Sequence, residues 1–141
     1  MRIAIGVAAT LTFVVLALLH MSWALGLAPI GGAGVPEIGG KPTFVPGRGA
    51  TLAVAAALLA AAFVVAARSG LLGALSQSRL VGLACGVLGL VFVARAVGEF
   101  RLVGFFKTVK GTQFAYWDTM FYSPLCLVLG VCALWLALRR P

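Results

Sequence analysis

Long apolar runs separated by short polar segments dominate the pattern of this chain. Each run reaches the ~17–25 residues that an α-helix needs to cross about 30 Å of hydrocarbon. The runs lack the period-two alternation of a membrane β-strand, and in lipid a helix satisfies its own backbone hydrogen bonds. The pattern therefore predicts an all-α membrane protein, a single domain over residues 1–141 built as a four-helix bundle. The predicted transmembrane spans are Ile3–Leu27, Ala50–Ala67, Leu80–Gly98 and Met120–Leu138.

The composition excludes an ordinary soluble domain. Hydrophobic residues make up 62% of the chain and charged residues only 10%, whereas soluble domains carry about 25% charged residues. The net charge of +8 is compatible with nucleic acid binding, but the basic residues are scattered and mostly flank the apolar runs. That distribution is typical of anchoring at lipid headgroups. We therefore expect the lipid bilayer as a partner and no nucleic acid.

Basic residues at the ends of the spans predict which side faces the cytoplasm. With the N-terminus inside, the inner segments are short, contain no acidic residue and are dense in arginine. The two outer loops hold as many basic residues but spread them over longer segments. Because cytoplasmic segments are enriched in Lys and Arg, we expect a multi-pass protein with both termini in the cytoplasm. The inner residues are Arg2, Arg68, Arg79, Arg139 and Arg140, and the outer ones are Lys41, Arg48, Arg101, Lys107 and Lys110.

The first outer loop, Ala28–Gly49, is rich in glycine and proline. Proline removes a backbone donor and fixes φ, so the loop is predicted to be turn-rich rather than helical. It is long enough to cover the outer end of the bundle as a lid. Two interpretations of Glu37 are open, because it can pair with Lys41 or Arg48 or remain a solvated loop charge.

The second outer segment, Glu99–Trp117, allows two predictions. Its apolar residues group loosely on one helical face opposite Arg101, Lys107 and Lys110. This arrangement favours an amphipathic helix lying at the membrane interface. The alternative is that the segment simply extends the third spanning helix.

Small residues on the third span predict close helix packing. Gly82-x-x-x-Gly86 is followed by Gly89, and such residues let a second backbone approach, which drives helix association in lipid. This face serves packing within the chain or a homodimer equally well. The three cysteines lie inside predicted spans and form no Cys-x-x-Cys motif, so we interpret them as packing residues.

Polar and ionisable residues collect near the outer ends of the predicted spans. Ionisable groups at membrane depth are costly and usually face the bundle interior or a wet cavity, so we expect these residues to form one outer pocket. Glu99 follows Arg95 by one helical turn and is predicted to pair with it. Asp118 is predicted to cap the start of the fourth helix. The candidate pocket residues are His20, Trp23, Arg95, Glu99, Asp118 and Tyr122.

The alternative to a pocket is a purely structural role for these side chains. Arg95 and Glu99 then form a salt bridge, Asp118 is only a helix cap or a partner for Arg95, and His20 is an interfacial hydrogen-bonding residue. The single histidine and the three acidic residues of the chain lack a metal-ligand spacing such as His-x-x-x-His. We therefore expect no metal site and no cofactor.

Several short motifs occur together near the outer ends of the spans. They are His20-Met-Ser-Trp23, Pro36-Glu37, Lys41-Pro42-Thr-Phe-Val-Pro46, Arg95-Ala-Val-Gly-Glu-Phe100, Asp118 and Tyr122-Ser-Pro-Leu-Cys126. Together they resemble a bacterial family of four-span integral membrane proteins known only as a domain of unknown function. The resemblance implies an integral bacterial membrane protein, and we expect it in the cytoplasmic (inner) membrane. It supplies no catalytic residue.

Two functions follow from these observations. The first is an accessory or structural membrane protein that acts with a protein partner or as a homodimer. The alternative is a binding protein or intramembrane enzyme for a lipid, a quinone or another small amphiphile in the outer leaflet. In that case His20 transfers a proton, Glu99 or Asp118 acts as the base, and Arg95 anchors an anion. A proton-coupled exporter is disfavoured because no acidic residue lies near mid-membrane, and whether the protein is an enzyme stays open.

Overall fold

A computed structural model describes residues 1–139, so the inner position predicted for Arg140 lies outside the described residues. The described chain is largely helical. Its elements are α1 (Arg2–Ala24), α2 (Gly31–Gly34), β1 (Glu37–Ile38), β2 (Lys41–Pro42), α3 (Arg48–Ser69), a 3₁₀ turn (Gly73–Gln77), α4 (Arg79–Val97), α5 (Gln113–Trp117), a π-helical segment (Asp118–Tyr122) and α6 (Ser123–Leu138). The last three are continuous and form a fourth long helix, Gln113–Leu138.

Four of these helices are long and apolar enough to cross a membrane, which confirms the predicted fold class of an all-α membrane protein. They contain 23, 22, 19 and 26 residues. Each is therefore long enough to cross the hydrocarbon core, which takes ~17–25 residues. The largest differences from the sequence-based bounds are at the end of the first helix and at the start of the fourth. Helix α1 ends at Ala24, and the fourth helix begins at Gln113 rather than near Met120.

The bundle consists of two helix pairs. Helix α1 packs along α3, and α4 packs along α6, while fewer contacts join the two pairs. The core contains Phe13, Val65, Cys85 and Leu136, one from each long helix, all fully buried. Large apolar side chains on the other faces of these helices are exposed, as expected for surfaces that contact lipid.

Glycines let α4 and α6 cross closely. A Cβ added at Gly89 would lie 2.9 Å from the Gly130 carbonyl oxygen, and a Cβ at Gly130 would lie 2.9 Å from the Gly89 carbonyl oxygen. Neither position therefore accepts a larger residue without moving the helices apart. The glycine-rich face of α4 is thus used for packing within the chain, at least at Gly89, which is one of the two uses the sequence allows.

Arg68 holds one end of the bundle together. Its guanidinium donates to the carbonyl oxygens of Leu136, Ala137, Arg139 and Ser76 at 2.6–3.1 Å. The last carbonyls of a helix lack intrahelical partners and favour a cation. Arg2 donates in turn to the Arg68 carbonyl. We call this the Arg68 end, because these hydrogen bonds bring the ends of α1, α3 and α6 together there.

The first connecting loop partly matches its prediction. Residues 28–47 contain no long helix, but only the four-residue α2 and a two-stranded antiparallel hairpin in which Glu37 pairs with Pro42. The backbone of Thr43 donates to the Pro36 carbonyl at 2.9 Å and closes the hairpin. The loop is therefore ordered by turns, as its prolines and glycines predict.

Both predictions for the second loop are wrong over residues 98–112, which form neither an interfacial helix nor an extension of α4. Gly98 and Gly104 both have φ of 88°, a conformation that strongly favours glycine. A Cβ at Gly98 would lie 1.9 Å from the Val103 carbonyl oxygen. The chain therefore turns sharply after Val97 and folds back against the end of α4.

Candidate functional site

Asp118 is the centre of a buried charged cluster at the end of the bundle opposite Arg68. Its side chain is 0% exposed, and its carboxylate accepts hydrogen bonds from Arg95 Nη2 at 2.8 Å and Lys107 Nζ at 2.9 Å. The backbone amide of Gly104 donates to it as well, at 2.8 Å. Both carboxylate oxygens are thus used. We call Asp118, Arg95 and Lys107 the Asp118 cluster.

The predicted capping role of Asp118 is wrong, and the alternative, that Asp118 is a partner for Arg95, is the one observed. The fourth helix begins at Gln113, where the Thr112 hydroxyl oxygen accepts a hydrogen bond from the Ala115 amide at 3.1 Å. Asp118 therefore lies more than a turn inside the helix, where the first-turn amides are out of its reach. Its charge is balanced by side chains from α4 and from the second loop instead.

The buried position of Lys107 was not predicted from the sequence. Its side chain is 2% exposed, and Nζ donates to the Gly104 carbonyl at 2.9 Å, to Asp118, and to the Thr119 hydroxyl at 2.6 Å. From the sequence it resembles Lys110, another lysine of the same loop. Only the two tight turns at Gly98 and Gly104, which fold the loop onto the fourth helix, distinguish the two lysines.

The predicted ion pair between Arg95 and Glu99 is also wrong. Helix α4 ends at Val97, and the turn at Gly98 breaks the one-turn register that would have placed the two side chains together. The exposed Glu99 carboxylate accepts instead from the backbone amides of three following residues. Those amides belong to Arg101 at 3.1 Å, Leu102, and Val103 at 3.2 Å.

A cavity of about 320 Å³ lies among all four long helices next to this cluster. Its polar lining comprises His20, Trp23, Arg95, Tyr122 and Cys126. The remaining lining is apolar apart from the backbone at Gly34, and consists of Leu16, Leu19, Val54, Leu58, Phe92, Phe114 and Leu125. A polar group of a bound molecule can therefore reach Arg95 while its apolar part contacts the leucines.

The π-helical segment contributes to both the cluster and the cavity. It begins at the buried Asp118 and ends at Tyr122, which lines the cavity. Single π-turns inside α-helices are rare and frequently occur at functional sites. The Tyr122 hydroxyl donates to the carbonyl of Ala33 at 3.0 Å, so it joins the fourth helix to the first loop.

The first loop lies against the same end of the bundle. Gly34 of α2 lines the 320 Å³ cavity. A neighbouring cavity of about 270 Å³ lies between His20 and Trp23 on one side and Phe44–Pro46 of the loop on the other. The loop therefore borders the site, at the position predicted for a lid.

His20 is held in a defined orientation. Its Nδ1 lies 2.8 Å from the Leu16 carbonyl oxygen, and its ring packs on Trp23 with centroids 4.9 Å apart. A carbonyl oxygen only accepts, so we assign the proton to Nδ1. With the proton on Nδ1, Nε2 of a neutral imidazole is an acceptor.

The structure brings four of the six candidate residues to one cavity, namely His20, Trp23, Arg95 and Tyr122. Asp118 contacts Arg95 from a fully buried position, and Glu99 is exposed in the second loop. Neither Glu99 nor Asp118 therefore offers a free carboxylate to the cavity, although the sequence predicted that one of them would act as the base. Both Asp118 oxygens bind cations or an amide, and Glu99 caps its own loop.

The three candidate residues of the first loop, Glu37, Lys41 and Arg48, lie outside the 320 Å³ cavity. Glu37 is half-buried in β1. A Cβ added at Gly32 would lie 2.7 Å from a carboxylate oxygen of Glu37 and 2.8 Å from the amide oxygen of Gln113, so the two side chains are neighbours. Lys41 and Arg48 are exposed. Within residues 1–139, ion pairs join Asp118 to Arg95 and Lys107 only, so Glu37 pairs with neither basic residue. The same residues contain no group of three side chains arranged to hold a metal ion.

Comparison with known proteins identifies a family but no activity. A family model described as "Protein of unknown function (DUF3995)" matches residues 13–133. The matched range includes every residue of the Asp118 cluster and of the 320 Å³ cavity. No curated protein and no solved structure matches the chain.

Proposed function

Because the chain belongs to the DUF3995 family of proteins of unknown function, we propose a function from its site: it binds a membrane amphiphile. The polar headgroup lies at His20, Arg95 and Tyr122, and the apolar part lies along the leucines of the cavity. The observation that carries the proposal is the cavity of about 320 Å³ with its divided lining. Ligand sites are typically mostly apolar, with a few polar groups, and measure about 300–1,000 Å³.

The position of the polar groups supports an amphiphile rather than a wholly apolar molecule. Arg95, His20 and Tyr122 reach the cavity from three different helices. Ionisable side chains in a spanning helix are costly unless they have partners or water. Lipids, quinones and other small amphiphiles combine an apolar body with a polar end, and they are present in the surrounding bilayer.

We assign binding rather than catalysis to this site. The intramembrane enzyme predicted from the sequence uses His20 for proton transfer together with Glu99 or Asp118 as a carboxylate base. Asp118 is fully buried with both oxygens occupied, and Glu99 is exposed in a loop. His20 Nε2 is the remaining basic atom of the cavity, which suits hydrogen bonding to a ligand hydroxyl.

The accessory role predicted from the sequence depends on the same residues. The Asp118 cluster joins α4, the second loop and the fourth helix, so it does stabilise the bundle. That contribution accounts for Asp118 and Lys107. It does not account for His20 and Trp23, which contact the cavity and take no part in the cluster, and we therefore favour ligand binding.

The proposal includes an orientation in the membrane. The Arg68 end carries Arg2, Arg68 and Arg139, and cytoplasmic segments are enriched in such residues. We therefore propose that both termini lie in the cytoplasm of a bacterial cell, in its inner membrane. The cavity then opens toward the outer leaflet.

Native mass spectrometry of gently purified protein tests ligand binding. We expect a retained amphiphile on the wild-type chain and its loss from the Leu58→Trp variant, because Leu58 lines the cavity. The matched control is Leu59→Trp, since Leu59 is 44% exposed on the same helix, and this variant should keep the ligand. Equal retention by both variants, or a specific protein partner and no amphiphile on the wild type, would contradict the proposal.

A further inference from the structure

The charges around the cavity do not balance. The Asp118 cluster contains two cations, Arg95 and Lys107, and one carboxylate. No aspartate or glutamate lines the cavity, and every lining residue belongs to the described part of the chain. The other two acidic residues lie outside the cavity, because Glu99 is exposed and caps its own loop and Glu37 lies in β1 near Gln113. One positive charge is therefore uncompensated at this site.

The uncompensated charge belongs to Arg95. Lys107 is 2% exposed and its ammonium makes three hydrogen bonds, which is all it can donate. Arg95 binds Asp118 through Nη2 alone, and its Nη1 is buried without a hydrogen-bond partner within residues 1–139. Its side chain remains 33% exposed and lines the cavity. Arg95 is thus the cation of the cluster that a ligand can reach.

We infer that the ligand of this cavity is an anionic amphiphile, whose oxyanion binds Arg95. This inference rests on the proposed function and names its ligand class. An arginine guanidinium is planar and binds carboxylates and phosphates through two parallel hydrogen bonds. An anion also offsets the charge that the Asp118 cluster leaves uncompensated in a medium where lone charges are costly.

Two sources offer this chemistry in a membrane. A fatty acid presents a carboxylate on one acyl chain, and a phospholipid or lysophospholipid presents a phosphate. Both place an oxyanion at the boundary of an apolar chain, which matches the position of Arg95 beside the leucines of the cavity. A neutral quinone or alcohol lacks that charge and leaves the positive charge of Arg95 uncompensated.

Competition binding in neutral detergent separates these ligands. Palmitate is compared with hexadecanol, and lysophosphatidic acid with monopalmitoylglycerol, so that each pair differs mainly in the headgroup charge. We expect the anionic member of at least one pair to bind about 10–100-fold more tightly, because its oxyanion makes charge-assisted hydrogen bonds with Arg95. Preference for palmitate alone identifies a carboxylate ligand, and preference for lysophosphatidic acid alone identifies a phosphate ligand.

Variants of the two cations locate the effect. Arg95→Gln should abolish the preference for the anion, and Arg95→Lys should restore part of it. Lys107→Gln removes the same charge from a side chain that does not line the cavity, so it lowers the net charge of the cluster but keeps the guanidinium that binds the ligand. It should therefore weaken the preference less than Arg95→Gln does. If a variant fails to fold, the relative affinities of the wild-type protein for the charged and neutral ligands still show whether it prefers an anion.

The outcomes separate this inference from the proposed function. Tight but equal binding of charged and neutral members, lost in Leu58→Trp, would overturn the anionic ligand and leave amphiphile binding intact. Absence of binding by all four compounds would overturn the anionic ligand, and together with no retained amphiphile in native mass spectrometry it would overturn both. Anion preference that survives Arg95→Gln in a folded protein would contradict the role of Arg95.

Discussion

Arg95 on α4 and Asp118 in the fourth spanning helix form an ion pair, with Nη2 and Oδ1 2.8 Å apart and the carboxylate fully buried. The pair joins helices that are adjacent in space but separated by the whole second loop in sequence. Lys107 binds the other carboxylate oxygen from that loop. The arrangement places the loop, α4 and the fourth helix in one hydrogen-bonded unit beside the cavity.

Replacing Asp118 should be strongly destabilising. Asp118→Asn leaves Arg95 and Lys107 close together without their carboxylate, and removing one member of a buried ion pair costs about 3–5 kcal/mol. The free energy of unfolding in detergent measures the effect. The double variant Asp118→Asn/Lys107→Met should recover part of the loss, because it removes the buried cation as well. A stability equal to the wild type for Asp118→Asn would contradict the central place of this residue.

Glu99 serves as the contrasting case, because it also carries a carboxylate but is exposed. Glu99→Gln weakens the hydrogen bonds to the amides of residues 101–103, and such bonds contribute about 0.5–1.5 kcal/mol each. We expect a small loss of stability. A double-mutant cycle between Glu99 and Arg95 should give a coupling energy near zero. A large coupling energy would instead support the ion pair that the sequence suggests.

The close approach at Gly104 should be intolerant of any side chain. A Cβ there would lie 2.3 Å from the Val97 carbonyl oxygen, and φ is 88°. Gly111 is the matched control, since its φ is 83° but no atom lies within 4 Å of an added Cβ. Gly104→Ala should lower the thermal stability much more than Gly111→Ala does. The only cost of Gly111→Ala is the backbone strain, about 1 kcal/mol. Equal effects of the two substitutions would show that the loop does not pack against α4 in this way.

Arg68 should be the most important arginine of the opposite end. Arg68→Gln removes most of the donors that satisfy the terminal carbonyls of α6, and those carbonyls have no alternative partner in the helix. We expect a loss of about 2–4 kcal/mol, since several charge-assisted hydrogen bonds disappear. Arg79 is exposed, so Arg79→Gln should have little effect. Comparable losses for the two variants would refute the specific role of Arg68.

The proposed orientation is tested with reporter fusions at both termini. Green fluorescent protein fusions should fluoresce at either end, and periplasmic alkaline phosphatase fusions should be inactive at both. A phosphatase fusion inserted between Gly39 and Gly40, in the exposed hairpin turn, should be active. Phosphatase activity at the termini would reverse the orientation and place the cavity toward the cytoplasm.

Local sequence was sufficient to predict the four spanning helices. Apolar length alone determines whether a segment can cross a bilayer, and this property does not depend on the rest of the fold. The resemblance to an uncharacterised four-span family is likewise confirmed, by the match over residues 13–133. The grouping of His20, Trp23, Arg95 and Tyr122 near one end also followed from their depth along the spans. The structure brings these four to one cavity.

The pairing of charges was decided only by tertiary structure. From sequence, Glu99 is the favoured partner of Arg95, because a continuous helix places residues four apart on one face, and Asp118 is an alternative. The turn at Gly98 ends that helix first, and the loop beyond it carries Lys107 down to Asp118. Helix length depends on local composition, whereas the choice among several cations for one carboxylate depends on which backbones can approach. The path of the second loop, made possible by Gly98 and Gly104, therefore determines which side chains neutralise Asp118 and which one remains to face a ligand.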